Sequence, residues 1–146
     1  MKASQLFGAF GGVMVVAATF LAWITVEVGA SGVLRSDALA SARGIEQTEG
    51  KVALIAGMTI VIAAVALIRT DRFVQWAPLV GSAAAILAAV VMFIALVDIQ
   101  AKLAAAILVG SEVSIGIGVW LTGIGALVAL VGFGRAAGGL QASADA

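Results

Sequence analysis

The chain is predicted to be an all-α membrane protein: an antiparallel four-helix transmembrane bundle with a small extracytoplasmic loop and β layer, in one domain of residues 1–146. Three observations predict it. Of 146 residues, 63% are hydrophobic and 11% charged, with a mean hydropathy of +1.20, which leaves too little polar surface to cover a water-soluble globule. Four apolar stretches, at about 6–26, 51–68, 73–97 and 115–134, approach the length that crosses a bilayer. Between them lie polar loops at about 27–50 and 98–114, the second partly helical over Ile99 to Ile107, and one link, Arg69, Thr70, Asp71 and Arg72, short enough only for a tight turn between antiparallel helices.

Each span carries a stripe of small residues. In the first, Ser4, Gly8, Gly11, Ala18 and Ala22 share a heptad stripe, and Gly8 with Gly12 forms a GxxxG. Lys2 before an apolar run, followed by Val28, Gly29 and Ala30, is also the outline of a secretory signal peptide. The run exceeds an ordinary signal core, so a retained span is the expectation. Ala53, Gly57 and Ala64 are the small positions of the second span. Ala77, Gly81, Ala84, Ala88 and Ala95 are those of the third, where Pro78 sits in the first turns and its missing amide hydrogen costs least. In the fourth, Gly118, Thr122, Gly125, Ala129 and Gly132 follow a four-three-four-three spacing that places them on one side of a helix. Helices in lipid associate by close packing rather than by expelling water, and small residues let backbones approach. Gly8, Gly12, Gly57, Gly81, Gly118, Gly125 and Gly132 are therefore candidate helix-packing positions. They serve contacts within the bundle or a seam between copies, and a stripe on every span favours the first.

The loops have structure of their own. Ile24, Thr25, Val26, Glu27 and Val28 alternate with the period of a strand, as do Glu112, Val113, Ser114 and Ile115, so the two loops are expected to meet as a small sheet on one membrane face. The first loop also holds Arg35, Asp37, Arg43, Glu46 and Glu49 and must lie outside the hydrocarbon. The tail, 135–146, is rich in alanine and glycine and is expected to fray. An even number of spans puts both termini on one side. Lys2, Arg69, Arg72 and Arg135 would share that side, against Arg35, Arg43, Lys51 and Lys102 on the other; the compact Arg69 and Arg72 turn fits a cytoplasmic connection. Trp23 and Trp120 are then expected to anchor the outer interface and Trp76 the inner one.

Composition also restricts chemistry. Formal net charge is zero and histidine, cysteine and tyrosine are absent. A nucleic-acid partner has no basic footprint to bind, and Cys/His zinc sites, His or Cys haem ligation, Ser-His catalysis and histidine proton relays are excluded. No catalytic, cofactor or metal residue is assigned. Lys51 and Asp98, at the predicted ends of the second and third spans on one face, form a candidate interfacial ion pair, or mark an ion path. Glu27, Glu46 and Glu49 offer oxygens to a hard cation, but their spacing fits no calcium loop and a solvated acidic face is the simpler reading.

Phe20, Leu21, Ala22, Trp23, Ile24, Thr25 and Val26, the stretch from Gly44, Ile45 and Glu46 to Gly50 and Lys51, then Ala95, Leu96, Val97 and Asp98, and finally Gly116, Ile117, Gly118, Val119 and Trp120 carry a resemblance over nearly the whole chain. Together they resemble a widespread group of uncharacterised bacterial four-span membrane proteins, common in actinobacteria. The resemblance implies an inner (plasma) membrane location, here with both termini cytoplasmic, and an architecture rather than an activity. A long first loop and a shorter second one are similar in shape to claudin-like tetraspan proteins, although the paired loop cysteines of claudins are missing. The expected work is that of a non-enzymatic accessory subunit or scaffold, contacting the lipid bilayer and other membrane-protein subunits or copies of itself. The alternative is a homo-oligomeric channel or small transporter for a small solute, against which stand the lack of a polar stripe, of mid-depth charge and of broken helix pairs. An intramembrane aspartyl enzyme would need two carboxylates in one site, and the spans offer only Asp98 at a rim.

Overall fold

The computed structural model describes residues 3–28, 39–69, 75–107 and 111–144. In chain order the elements are α1 (Ala3–Thr19), β1 (Ala22–Val28), β2 (Leu39–Arg43), a single 3-10 turn at Gly44–Glu46, α2 (Thr48–Arg69), α3 (Ala77–Ile107), β3 (Ser111–Ile115) and α4 (Ile117–Ala144). Thr48–Ile68, Ala77–Lys102 and Ile117–Gly138 are long and apolar enough to cross a membrane, and the chain is an integral membrane protein of helical-bundle architecture. The shorter α1, of 17 residues, completes the bundle.

The helices form a ring in which α1 packs on α2, α2 on α3, α3 on α4 and α4 back on α1. Neighbours run antiparallel. Gln5 at the start of α1 donates through Nε2 to the carbonyl of Leu67 near the end of α2, at 3.1 Å, and Gly81 early in α3 meets Phe133 late in α4. Small residues set the spacing. Gly11 lies so close to α4 that a methyl group on it would stand 2.5 Å from both Ala129 N and Gly125 O, and one on Gly132 would stand 2.5 Å from Gly8 N. At those distances backbone meets backbone with no side chain between.

Three buried clusters stack along the bundle axis. Val15, Ala56, Ala88 and Ala126 make a narrow waist. On one side Phe133 fills the space among Ile60, Ala64, Ala77 and Ala84, and on the other Trp23 fills it among Ala53, Val91, Ala95 and Val119. Short side chains bring the helices together at the middle, and the two aromatic rings close the ends.

At the Trp23 end lies a three-stranded antiparallel sheet, ordered β2-β1-β3. The register sets Ile24 opposite Ile115 and Val26 opposite Val113, then Thr25 opposite Ser114 and Glu27 opposite Glu112. Alternation puts Ile24 and Ile115 on one face and Thr25 and Ser114 on the other. Ile24 is buried and Ile115 packs against the Trp23 cluster, whereas Ser114 is exposed, so the apolar face is turned to the bundle.

Several boundaries differ from the sequence expectation. The first apolar run, expected to stay helical to about 26, leaves the helix at Thr19, because β-branched Ile24, Thr25 and Val26 join a sheet there. The third helix continues past 97 to Ile107, so the helical stretch expected over 99–107 within the second loop is joined to the span without a break. Lysine, leucine and alanine over residues 101–106 are strong helix formers, and no glycine or proline intervenes before Gly110. The expected frayed tail 135–146 is instead helical to Ala144. β2 has no β-branched residue and exists through its pairing with β1. Arg35, Asp37, Thr70, Asp71 and Arg72 lie outside the described residues.

Gly11→Ala is expected to force α1 and α4 apart and cost about 1–3 kcal/mol. Gly134→Ala, where nothing lies within 4 Å of an added methyl, is expected to be neutral or to stabilise by up to about 1 kcal/mol. Thermal unfolding of both variants in one detergent checks the pair.

Candidate functional site at the sheet end of the bundle

Trp23 organises this end. The last carbonyls of a helix have no intrahelical partner, and Ala18 lies in the last turn of α1. Its oxygen accepts from Leu21 N at 3.2 Å and from the Trp23 indole Nε1 at 2.9 Å. The chain reverses into β1, and the indole folds back over the helix end. There it is 0% exposed. Trp23 is thus not the lipid-facing interface anchor expected for it; a tryptophan at the polar end of an apolar run here satisfies a helix terminus inside the protein.

Glycines from two distant segments make room for the ring. A methyl on Gly118, in the first turn of α4, would stand 2.5 Å from Trp23 Cδ1, and one on Gly44 would stand 2.6 Å from Cε2 and closer still to Nε1. Backbone bonds then tie the same segments to β1. Gly44 N donates to Leu21 O at 3.2 Å, and Gly116 N to Trp23 O at 2.8 Å. A methyl on Gly50, in the first turn of α2, would run into the Gly44 carbonyl. One side chain therefore joins the end of α1 and the central strand to the approaches of α2 and α4.

Every predicted helix-packing glycine faces a neighbour inside this chain. Gly8 and Gly81 meet the Phe133 ring, Gly12 meets Ile60 and Val61, Gly57 meets Val15 and Val16, Gly118 meets Trp23, Gly125 meets Gly11, and Gly132 meets Gly8 and Ser4. The charged residues are arranged differently from the expectation. Asp98 pairs with Lys102 at 2.6 Å, four residues on along α3, rather than with Lys51, which is exposed at the start of α2. On a helix surface the i,i+4 partner is always within reach, whereas Lys51 belongs to another helix. Trp76 and Trp120 are 64% and 52% exposed and lie toward opposite ends of the bundle, just before α3 and in the first turn of α4.

Glu46 accepts from Arg43 N at 3.2 Å, capping the 3-10 turn. Among the described residues no three acidic side chains gather as a metal site would need. Buried Thr19 and Thr122 donate to carbonyls of their own helix, Val16 O at 2.7 Å and Gly118 O at 2.9 Å. Two apolar grooves flank α1, one of about 310 Å³ against Met58, Val61 and Ile62 of α2 and one of about 410 Å³ along Leu6, Phe7 and Phe10. The site is a structural junction beneath a small polar sheet face. Compared with known proteins, the chain matches no family model and no curated protein.

Trp23→Phe removes the indole donor while keeping an aromatic ring, and is expected to cost about 1–3 kcal/mol, with faster amide exchange in β1 and β3. In vesicles of lipids brominated along their chains, tryptophan emission is expected to retain a protected component that disappears in Trp23→Phe. Asp98→Asn breaks an exposed pair and is expected to change stability by less than about 1 kcal/mol in the same unfolding assay.

Proposed function

We propose that this protein is a non-enzymatic structural or accessory component of its membrane, acting through its lipid-facing helix surfaces and the polar face of its sheet. The observation that supports this most is the apolar, packed core among the described residues. The waist is built of Val15, Ala56, Ala88 and Ala126, aromatic rings fill both ends, and the buried threonines donate to carbonyls of their own helix. A solute path needs polar groups or a continuous opening along the axis. The surfaces that remain are the apolar exterior, with Ile62, Phe93 and Leu127 among its exposed side chains, and the strand layer at one end. Both are contact surfaces, for other membrane-protein subunits or for a second copy.

The same proposal includes kinship with the actinobacterial-type four-span group and an inner-membrane setting with cytoplasmic termini. The antiparallel ring favours a common side for the termini, opposite the sheet.

Purification from the source membrane into native nanodiscs, with mass determination of everything retained, tests the role. Constant co-purification with other membrane subunits is the expected outcome. A discrete homo-oligomer that conducts ions or a small solute after reconstitution would overturn it in favour of a channel.

A further inference from the structure

The four helices can be placed on a common depth scale through their contacts. Gly12 of α1 lies against Ile60 and Val61 of α2, and Gly11 lies between Gly125 and Ala129 of α4. The waist cluster, in which Ala88 of α3 and Ala126 of α4 join Val15 and Ala56, lies about one turn from that contact. To within about one turn, Gly12, Ile60, Ala88 and Ala126 thus mark one level across the bundle.

Charged residues or helix ends stand at nearly equal distances from that level. On α2, Lys51 and Arg69 are each nine residues from Ile60; on α4, Arg135 is nine residues beyond Ala126, and the helix begins nine residues before it, at Ile117. On α1, Ala3 opens the helix nine residues before Gly12, and the helix has ended by Phe20, eight residues after it. On α3, Asp98 is ten residues beyond Ala88. Between these marks no helix carries a charge, and exposed side chains such as Phe10, Ile55, Phe93 and Ile124 are apolar. At 1.5 Å per residue, nine residues are about 13 Å, so the uncharged belt is about 27 Å deep.

We propose that the partner of this belt is a bilayer whose hydrocarbon is about 27 Å thick, a few Å thinner than the usual ~30 Å, centred on the plane of Gly12, Ile60, Ala88 and Ala126. A second observation fits the same depth. α1 has 17 residues, roughly 25 Å of helix, which falls short of an average bilayer but nearly crosses this one. With the belt fixed, the sheet and the last nine residues of α3 stand in water on one side. The last nine residues of α4, beyond Arg135, stand in water on the other. The belt assignment rests on membrane insertion and is independent of the accessory role.

The chain has no cysteine, so single spin labels can be attached without a background. Val13→Cys, Ile62→Cys, Val90→Cys and Leu127→Cys place a label near the plane on exposed positions of each helix, and Ala101→Cys, Ser114→Cys and Gly138→Cys place one beyond the belt. In phosphatidylcholine vesicles, oxygen is expected to relax the first four labels and a water-soluble nickel chelate the last three. Oxygen-dominated labels at residue 101 or 138, or a nickel-accessible label on one helix alone among the first four, would overturn the belt while leaving membrane insertion intact. Nickel access at all seven would overturn insertion itself. As a measurement free of substitutions, thermal stability across vesicles of increasing acyl-chain length is expected to peak where the hydrocarbon is about 27 Å thick; a peak at about 30 Å or above would also overturn the belt.

Discussion

The hydrogen bond from the Trp23 indole to the Ala18 carbonyl is the constraint on which the sheet end of this molecule depends. A helix that ends inside a packed assembly must find partners for its last carbonyls, because water is not there to supply them. The indole does this with a side chain from the next element, so terminating α1 and starting β1 become one event. Gly44 and Gly118 can approach only because they have no side chain, and their backbones bring the approaches of α2 and α4 to the same point. The sheet is then less an appendage than the continuation of the bundle's packing, with Ile24 and Ile115 carrying the apolar core outward.

Below that junction, size complementarity does the work that the hydrophobic effect does in water. Lipid tails are as apolar as the helices, so association has to come from contact. Backbone contact between Gly11 and Ala129 is available only where side chains are absent or minimal. Contact at the waist leaves wider spaces toward the ends, and Phe133 and Trp23 occupy them. Gly8 and Gly81 make room for the Phe133 ring from two helices, as Gly44 and Gly118 do for the indole. The consequence is that, among the described residues, the core is packed by short apolar side chains at its middle and by an aromatic ring toward each end.

The architecture was legible in the sequence because its signals are local and repeated: apolar runs, small-residue stripes, and strand-like alternation at Thr25 and at Ser114, which the structure pairs directly. What the sequence hid is relational. Trp23 sits where an interfacial tryptophan would sit, and nothing near it in the chain indicates that glycines 21 and 95 residues away will wrap it. Thr59 donates to Ile55 O in its own helix, whereas Gln5 makes a cross-helix bond to Leu67. Asp98 likewise took the partner its own helix offers. The helix expected over 99–107 proved continuous with the third span, and four-residue spacing on it makes Asp98 and Lys102 a pair.

Indole hydrogen exchange in lipid bilayers tests the central claim most directly, since the three tryptophans report three environments in one spectrum. If Trp23 terminates α1 from within the protein, its indole N–H stays protected in deuterated buffer long after those of Trp76 and Trp120 have exchanged. An indole signal of Trp23 that exchanges as fast as the other two would mean that the ring lies at the membrane surface and that the junction is held by something else.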